Sequence, residues 1–371
     1  MAGIYIHIPF CAKRCIYCGF FSTVRQEEAA RYVQAVCREL RLRKDYLDAE
    51  PVKTVYFGGG TPSRLTPEQI GDIISAIGTT FSLDSLQELT VECNPDDITP
   101  QYVTALRALG VNRISIGVQT FNEELLRFLH RRHTATQALE AVRICRESGI
   151  TNISIDLMYG LPGQTIDMFR SDLETALKAG VQHISSYCLS YEENTPLQAL
   201  REQGKLIPAD DDLCSRMFTL MCDTLRKGGF EHYEISNFCR PGYHSRHNSS
   251  YWDSTPYLGL GAGAHSYHRT TRQWNPSDLD AYMQGMEQNN PQFEFEHLSK
   301  TDLYNEKLML SLRTTQGLDL TTLSKTDRLS ILKSAESLLS NGSLVSQNNS
   351  LRIPESRMFI SDSIISTLFK A

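Results

Sequence analysis

Three cysteines stand together near the start of the chain: Cys11, Cys15 after three intervening residues, and Cys18 after two more. Three thiolates in one tight loop can hold three irons of a cubane cluster. The usual set is four, so a loop of three with no close fourth suggests an iron kept open for a small molecule. Two other chemistries compete for the same residues. Cys15 and Cys18 alone have the spacing of half a zinc site, yet no second pair follows. A redox pair is also possible, but it leaves Cys11 without a task. The other cysteines, among them Cys37, Cys145, Cys188, Cys214 and Cys222, are scattered through periodic segments. That usage suits reduced, buried thiols and a cytoplasmic protein.

Further polar residues recur wherever a strand-like run ends. Gly58-Gly59-Gly60-Thr61-Pro62 follows the second run, Glu92 ends the third, Gln119 the fourth, and Asp156 lies near the end of the fifth. The glycines let backbone N–H and C=O groups approach a ligand closely. No Gly-Lys-Ser/Thr follows them, so this is not a P-loop. Glu92 and Asp156 can accept hydrogen bonds from hydroxyls or an ammonium, and each can equally be a structural cap or ion-pair partner. Gly259-Leu260-Gly261-Ala262-Gly263 imitates a dinucleotide fingerprint, but no βαβ unit surrounds it, and a backbone turn near a barrel mouth is expected there. His247-Asn248-Ser249-Ser250-Tyr251-Trp252 joins an imidazole to two amphipathic rings. Such a set can ligate haem iron and stack on a porphyrin, or simply serve a core. His244 is a rival ligand three residues earlier.

The elements that must position these residues alternate. Strand candidates are 4–8, 53–57, 89–92, 113–118, 153–158 and 183–189. Helical patterns lie between them at 27–47, 67–81, 100–109, 123–129 with 135–147, and 166–179. Gly110, Gly149 and Gly180 each precede a β-branched residue, as a glycine does when it ends a helix before the next strand. Six β-α units in a row predict an α/β fold with a parallel sheet. A partial (β/α)6, TIM-like barrel fits better than a doubly wound sheet, because no reversal interrupts the repeat. Barrels place their sites at the C-terminal ends of strands, where the polar residues fall. We expect a barrel over 1–230 and a β-rich extension over 231–290 carrying the histidine motif. A linker is expected near 287–296, and a small helical, winged-helix-like α+β domain over 298–371. That domain is predicted to have helices at 307–313 and 320–341 and strands at 351–353 and 358–360.

Bulk properties narrow the partners. The 371 residues carry a net charge of −6 and no long basic run, so nucleic acid is not an expected partner. No segment resembles a secretory signal, and no apolar run is long enough to span a membrane.

Tyr5-Ile6-His7-Ile8-Pro9-Phe10-Cys11 with its cysteine loop resembles the radical-SAM superfamily. More narrowly, the chain resembles the group that holds oxygen-independent coproporphyrinogen III oxidase and the HemW-type haem chaperones, over about residues 4–370. The resemblance implies a [4Fe–4S] cluster on Cys11, Cys15 and Cys18. It also implies S-adenosylmethionine chelating the open iron, with contacts at Tyr5, Gly59, Gly60, Thr61, Glu92, Gln119, Arg131 and Asp156. Arg131 would hold the carboxylate, with Arg132 as competitor, and a further contact would fall near Leu189 or Ser190. Two functions follow from the resemblance. A chaperone would bind haem as cargo and hand it to haem-accepting proteins, with an electron donor serving the cluster. The oxidase would instead cleave adenosylmethionine reductively and decarboxylate coproporphyrinogen III, so catalysis is left open. Three features favour the chaperone. Tyr5 lies near the start, without the segment that precedes it in the oxidase. Phe20 stands where the oxidase has a further cysteine. The 247–252 stretch matches the H-N-x-x-Y-W motif of the chaperones, which would make His247, Tyr251 and Trp252 the haem-handling residues.

Overall fold

The computed structural model describes residues 1–370. Six strands form its centre: β1 (Ala2–Ile8), β2 (Val52–Gly59), β3 (Glu88–Cys93), β4 (Arg113–Gln119), β5 (Asn152–Tyr159) and β6 (His183–Cys188). They lie side by side in chain order, all parallel. This sequential order separates a barrel from a doubly wound sheet. The barrel is partial, because β1 and β6 do not pair with each other.

The crossovers are α1 (Ala29–Leu42), α2 (Pro67–Thr80), α3 (Pro100–Ala108), α4 (Glu123–Phe128) with α5 (Ala135–Glu147), and α6 (Ile166–Ala179). Capping boxes start α2 at Thr66 and Gln69 and α5 at Thr134 and Gln137, satisfying first-turn N–H groups. Gly110, Gly149 and Gly180 all take positive φ just after their helices, as their positions suggested. The first helix is shorter than its pattern. It stops at Leu42, and Asp48 and Ala49 turn at positive φ, so Leu47 is buried by a turn and not by a helix face.

Strand side chains alternate between two environments. Ile4, Ile6, Ile8, Val55, Phe57, Val91, Ile114, Ile116, Ile153 and Ile155 join one apolar core with the helices. Each such burial contributes roughly 1.5–3 kcal/mol. The alternate set, including Tyr5, Tyr56, Glu92, Arg113, Asp156 and His183, is polar and faces the barrel interior. Helices α7 (Pro196–Glu202) and α8 (Asp211–Lys227) follow β6.

The sheet extends on both sides. Strands β7 (Glu231–Glu234) and β8 (Asn237–Cys239) add antiparallel to β6, and β9 (Tyr257–Leu260) pairs parallel with β1. Strands β10 (His265–His268), β11 (Thr271–Trp274) and β12 (Glu294–His297) continue antiparallel to a total of twelve strands. Part of the expected linker is therefore a paired strand. Helix α9 (Arg246–Trp252), not a strand, carries the histidine motif, and α10 (Leu279–Glu287) packs back on α1.

The last segment has its own core around Leu308, Leu312, Ile331 and Leu351. It contains α11 (Lys300–Leu312), β13 (Leu318–Asp319), α12 (Lys325–Ser334), α13 (Glu336–Ser340), the hairpin β14 (Val345–Gln347) and β15 (Ser350–Arg352), and α14 (Ser361–Ser366). The helix, strand, helices, hairpin order is that of a winged helix. The strand expected at 358–360 is instead 3₁₀ helix, Glu355–Ile360. Within it Met358 is buried and Ile360 exposed. Among the described residues no helix is long and apolar enough to cross a membrane.

Candidate functional site

A cavity of about 440 Å³ opens at the C-terminal ends of the parallel strands. The loop after β1 brings Cys11, Cys15 and Cys18 to its wall. Backbone bonds pin that loop: Cys11 N–H donates to Thr23 O at 2.8 Å and Leu197 N–H to Ile16 O at 3.0 Å. Ile16 is buried against Leu125, Leu129, Leu189 and Leu197, and His7 Nε2 meets Phe21 O at 2.9 Å. The thiol-bearing residues stay partly exposed, with Cys11 Sγ 3.4 Å from Thr61 Oγ1.

The donor set suits a cluster better than one ion. Four-coordinate zinc holds sulfurs about 2.3 Å from itself, which packs them tightly together. Among the described residues, metal-type ligand atoms gather within 4.8 Å at Cys222–His232–Glu355 and at Glu231–Cys239–His244, not at the cysteine loop. The loop sulfurs are therefore spread for a larger group. Burial pushes the Cys11 and Cys18 thiols up. Holding them as thiolates requires positive charge in the cavity, which a bound iron cluster would supply.

The β2 end contributes Gly59, Gly60 and Thr61. Gly59 has φ +110°, and a Cβ there would lie 2.5 Å from His7 Nδ1. A Cβ on Gly60 would lie 2.7 Å from the Pro9 backbone. Both must be glycine for the strand end to pass so close to the cysteine loop. On β3, Glu92 accepts from Tyr56 Oη at 2.7 Å and from Gly59 N–H at 3.3 Å. Burial pushes its carboxyl up to about 7, against the lowering effect of the Tyr56 bond. On β4, Gln119 takes φ +71°, a conformation non-glycine residues hold only where the surroundings impose it. On β5, Asp156 lies 3.5 Å from Ser115 Oγ and is raised by burial to about 6.

Both arginines of the pair line the cavity, with different partners. Arg131 reaches Cys15 Sγ at 3.5 Å and Asn94 Oδ1 at 2.7 Å, and also donates to Gly117 O. Arg132 is bound to Asp96 at 2.9 Å and Asp97 at 3.1 Å. Leu189 and Ser190 line the cavity, as does Asn94, which the sequence reading missed. Its signal was available, since Glu92-Cys93-Asn94 ends β3 and the next residue is proline. Phe20 borders the cavity and is 68% exposed.

Tyr5 is the one expected adenosylmethionine contact that does not line the cavity. It lies inside the barrel, stacked on Tyr56 with centroids 6.2 Å apart. His247 lies there too, fully buried. Its Nδ1 is 2.9 Å from Thr54 Oγ1 and its Nε2 is 2.8 Å from Tyr251 Oη. Burial pulls its imidazole down to about 3, so it is neutral at ordinary pH. As an axial haem ligand, His247 would have to give up one of these bonds and leave its slot. Trp252 is half-buried on the same helix, and His244 lines a second hollow, about 420 Å³, with Lys53 and Arg246. The Gly259–Gly263 run leaves β9 and turns at positive φ at Gly261 and Gly263, and it is also closely packed. A Cβ on Gly259 would strike His265 O, and Gly261, at φ +98°, lies against Tyr32.

Comparison with known proteins agrees with this geometry. Residues 5–176 match the radical SAM superfamily. The heme chaperone HemW of Lactococcus lactis is 37% identical over 314 residues, covering 84% of this chain and 82% of that protein. The heme chaperone HemW of Mycobacterium tuberculosis is 34% identical over 371 residues, covering 99% and 94%. Among solved structures, Escherichia coli coproporphyrinogen III oxidase (HemN), a radical SAM enzyme, superposes with a TM-score of 0.86. It covers all of this chain and 90% of its own at 24% identity, a likeness of fold.

Proposed function

The chain belongs to the radical SAM superfamily and, within it, to the HemW group; from that premise we propose that it is a cytoplasmic haem chaperone, binding haem and delivering it to haem-accepting proteins. The observation that carries the reading is identity of 34–37% to HemW chaperones over most of the chain. Likeness to the oxidase is one of fold, and Phe20 occupies the place of the oxidase's additional cysteine.

In this reading Cys11, Cys15 and Cys18 hold a [4Fe–4S] cluster, and adenosylmethionine fills the remaining cavity. Such a cluster, when bound and reduced, would be a source of one electron for the sulfonium. The chain's own residues do the binding. Arg131 offers a guanidinium beside Cys15, suited to a carboxylate. Glu92 and Asp156 accept from hydroxyls or an ammonium, and the Gly59–Gly60 backbone admits the ligand closely. Helix α9 carries the haem-handling residues, with Trp252 accessible for stacking and His247 able to ligate only after leaving its slot.

The test uses anaerobically reconstituted full chain. Haem addition is expected to give a Soret shift, and coproporphyrinogen III with adenosylmethionine and reductant is expected to yield no protoporphyrinogen. Alanine at Cys11, Cys15 or Cys18 should remove iron and the broad absorbance near 400 nm, whereas Cys37→Ala should keep both. Oxidase turnover, or absence of haem binding, overturns the chaperone reading. Iron retained without the three cysteines overturns the cluster assignment.

A further inference from the structure

The buried histidine of helix α9 and the cavity share a continuous set of contacts through the barrel interior. His247 enters the interior beside Gly3, where a Cβ would lie 3.3 Å from the imidazole, so the missing side chain makes its slot. Glu88 fixes the start of α9, accepting from Arg246 N–H at 2.8 Å and His247 N–H at 3.0 Å. Thr54 and Tyr251 fix the ring itself. The ring then stacks on Tyr56, centroids 5.0 Å apart and planes 23° from parallel. Tyr56 Oη donates to one oxygen of Glu92, and Gly59 N–H donates to the other.

We propose that His247 is a positioning residue of the adenosylmethionine site: it sets the ring of Tyr56, whose hydroxyl in turn aims the Glu92 carboxylate into the cavity. The proposal rests on reading that cavity as the adenosylmethionine site. Tyr5 flanks both rings, with centroids 6.2 Å from Tyr56 and 6.3 Å from His247, so the nearest ring on Tyr56 is the imidazole. Tyr56 is buried, and its O–H has one acceptor in reach. Removing the imidazole opens a ring-sized space into which Tyr56 tilts, and a small tilt at the ring moves the hydroxyl off Glu92. A buried carboxylate that loses a donor loses its fixed orientation. The helix proposed to handle haem is thereby also the far support of the cofactor pocket. By linkage, any ligand that withdraws the imidazole for itself is opposed by adenosylmethionine.

The experiment measures the adenosylmethionine dissociation constant by titration calorimetry on anaerobically reconstituted full chain, after iron content is matched. His247→Ala and Tyr56→Phe are each expected to raise it about tenfold. Tyr56→Phe keeps the ring and its stack, so a packing role alone does not predict its effect. In the Tyr56→Phe background, His247→Ala should add nothing further, because the hydroxyl being aimed is already gone. An unchanged constant in Tyr56→Phe overturns the proposal, even if His247→Ala fails to fold. So does a His247→Ala effect that adds in full to that of Tyr56→Phe. Glu92→Gln separates the two levels. If it weakens binding while Tyr56→Phe does not, the cavity reading stands and the relay falls. If wild-type chain binds no adenosylmethionine, both fall.

Discussion

At Glu92, burial and hydrogen bonding pull in opposite directions. Desolvation is the larger, and it holds the carboxyl near 7 despite the Tyr56 and Gly59 donors. Above that value Glu92 is a carboxylate that accepts two or more bonds, and below it one oxygen carries a proton and accepts less. Its service as an acceptor is therefore present above about pH 7 and lost as pH falls. Adenosylmethionine affinity should drop up to about tenfold between pH 8 and pH 6, since one unit below the midpoint leaves about a tenth of the carboxyls ionised. Titration calorimetry across that range checks it, and Glu92→Gln should flatten the profile. Glu92 was legible in the sequence as a polar residue ending a strand. Its neighbour on β2, Tyr56, was not, because an aromatic residue in a strand reads as core, and only the barrel's closure turned it inward to Glu92.

The element that joins the two halves of the sheet is α1. Its Glu39, wholly buried, accepts from Gly261 N–H at 2.9 Å and Tyr282 Oη at 2.8 Å on one oxygen. The other accepts from Asn275 Nδ2 at 2.9 Å and Arg43 Nη1 at 3.2 Å. One carboxylate thus ties β9, the segment after β11 and α10 to the helix that follows the cysteine loop. Glu39→Leu leaves the buried Arg43 without its charge partner and is expected to cost about 3–5 kcal/mol. Denaturant unfolding should show it, with iron retained in the fraction that stays folded. Most helix boundaries on the barrel were legible, because caps and terminal glycines act locally. The tie through Glu39 was not, since three of its four partners, Gly261, Asn275 and Tyr282, lie more than two hundred residues away in sequence.

At the scale of the whole molecule the barrel core and the C-terminal core meet through backbone bonds, Ile235 N–H to Arg313 O and Thr315 N–H to Tyr233 O, and through side chains that cross between them. Met358 lies between residues of the C-terminal core in sequence, Ile353 and Ile364, yet is buried in the barrel core, and neighbouring Phe359 packs on Phe218 of α8 with centroids 5.8 Å apart. Beside them His232 Nδ1 meets Glu355 at 2.9 Å. Met358→Ala should cost about 2–5 kcal/mol by opening a cavity there. The effect should appear as a lower melting temperature and as faster proteolysis between residues 287 and 299.

The residues by themselves determined the order and period of six β-α units, the trio of thiols, and the polar residues at successive strand ends. These are short-range properties, set by side-chain type and spacing along one chain. Tertiary structure alone decided which way each strand face turned, and so placed Tyr5, Tyr56 and His247 inside the barrel. It also gave Arg131 and Arg132 different partners, Cys15 for one and Asp96 and Asp97 for the other. Spacing cannot separate the partners of adjacent residues; the fold does, because it sets one guanidinium against Cys15 and Asn94 and the other against the half-buried Asp96 and Asp97.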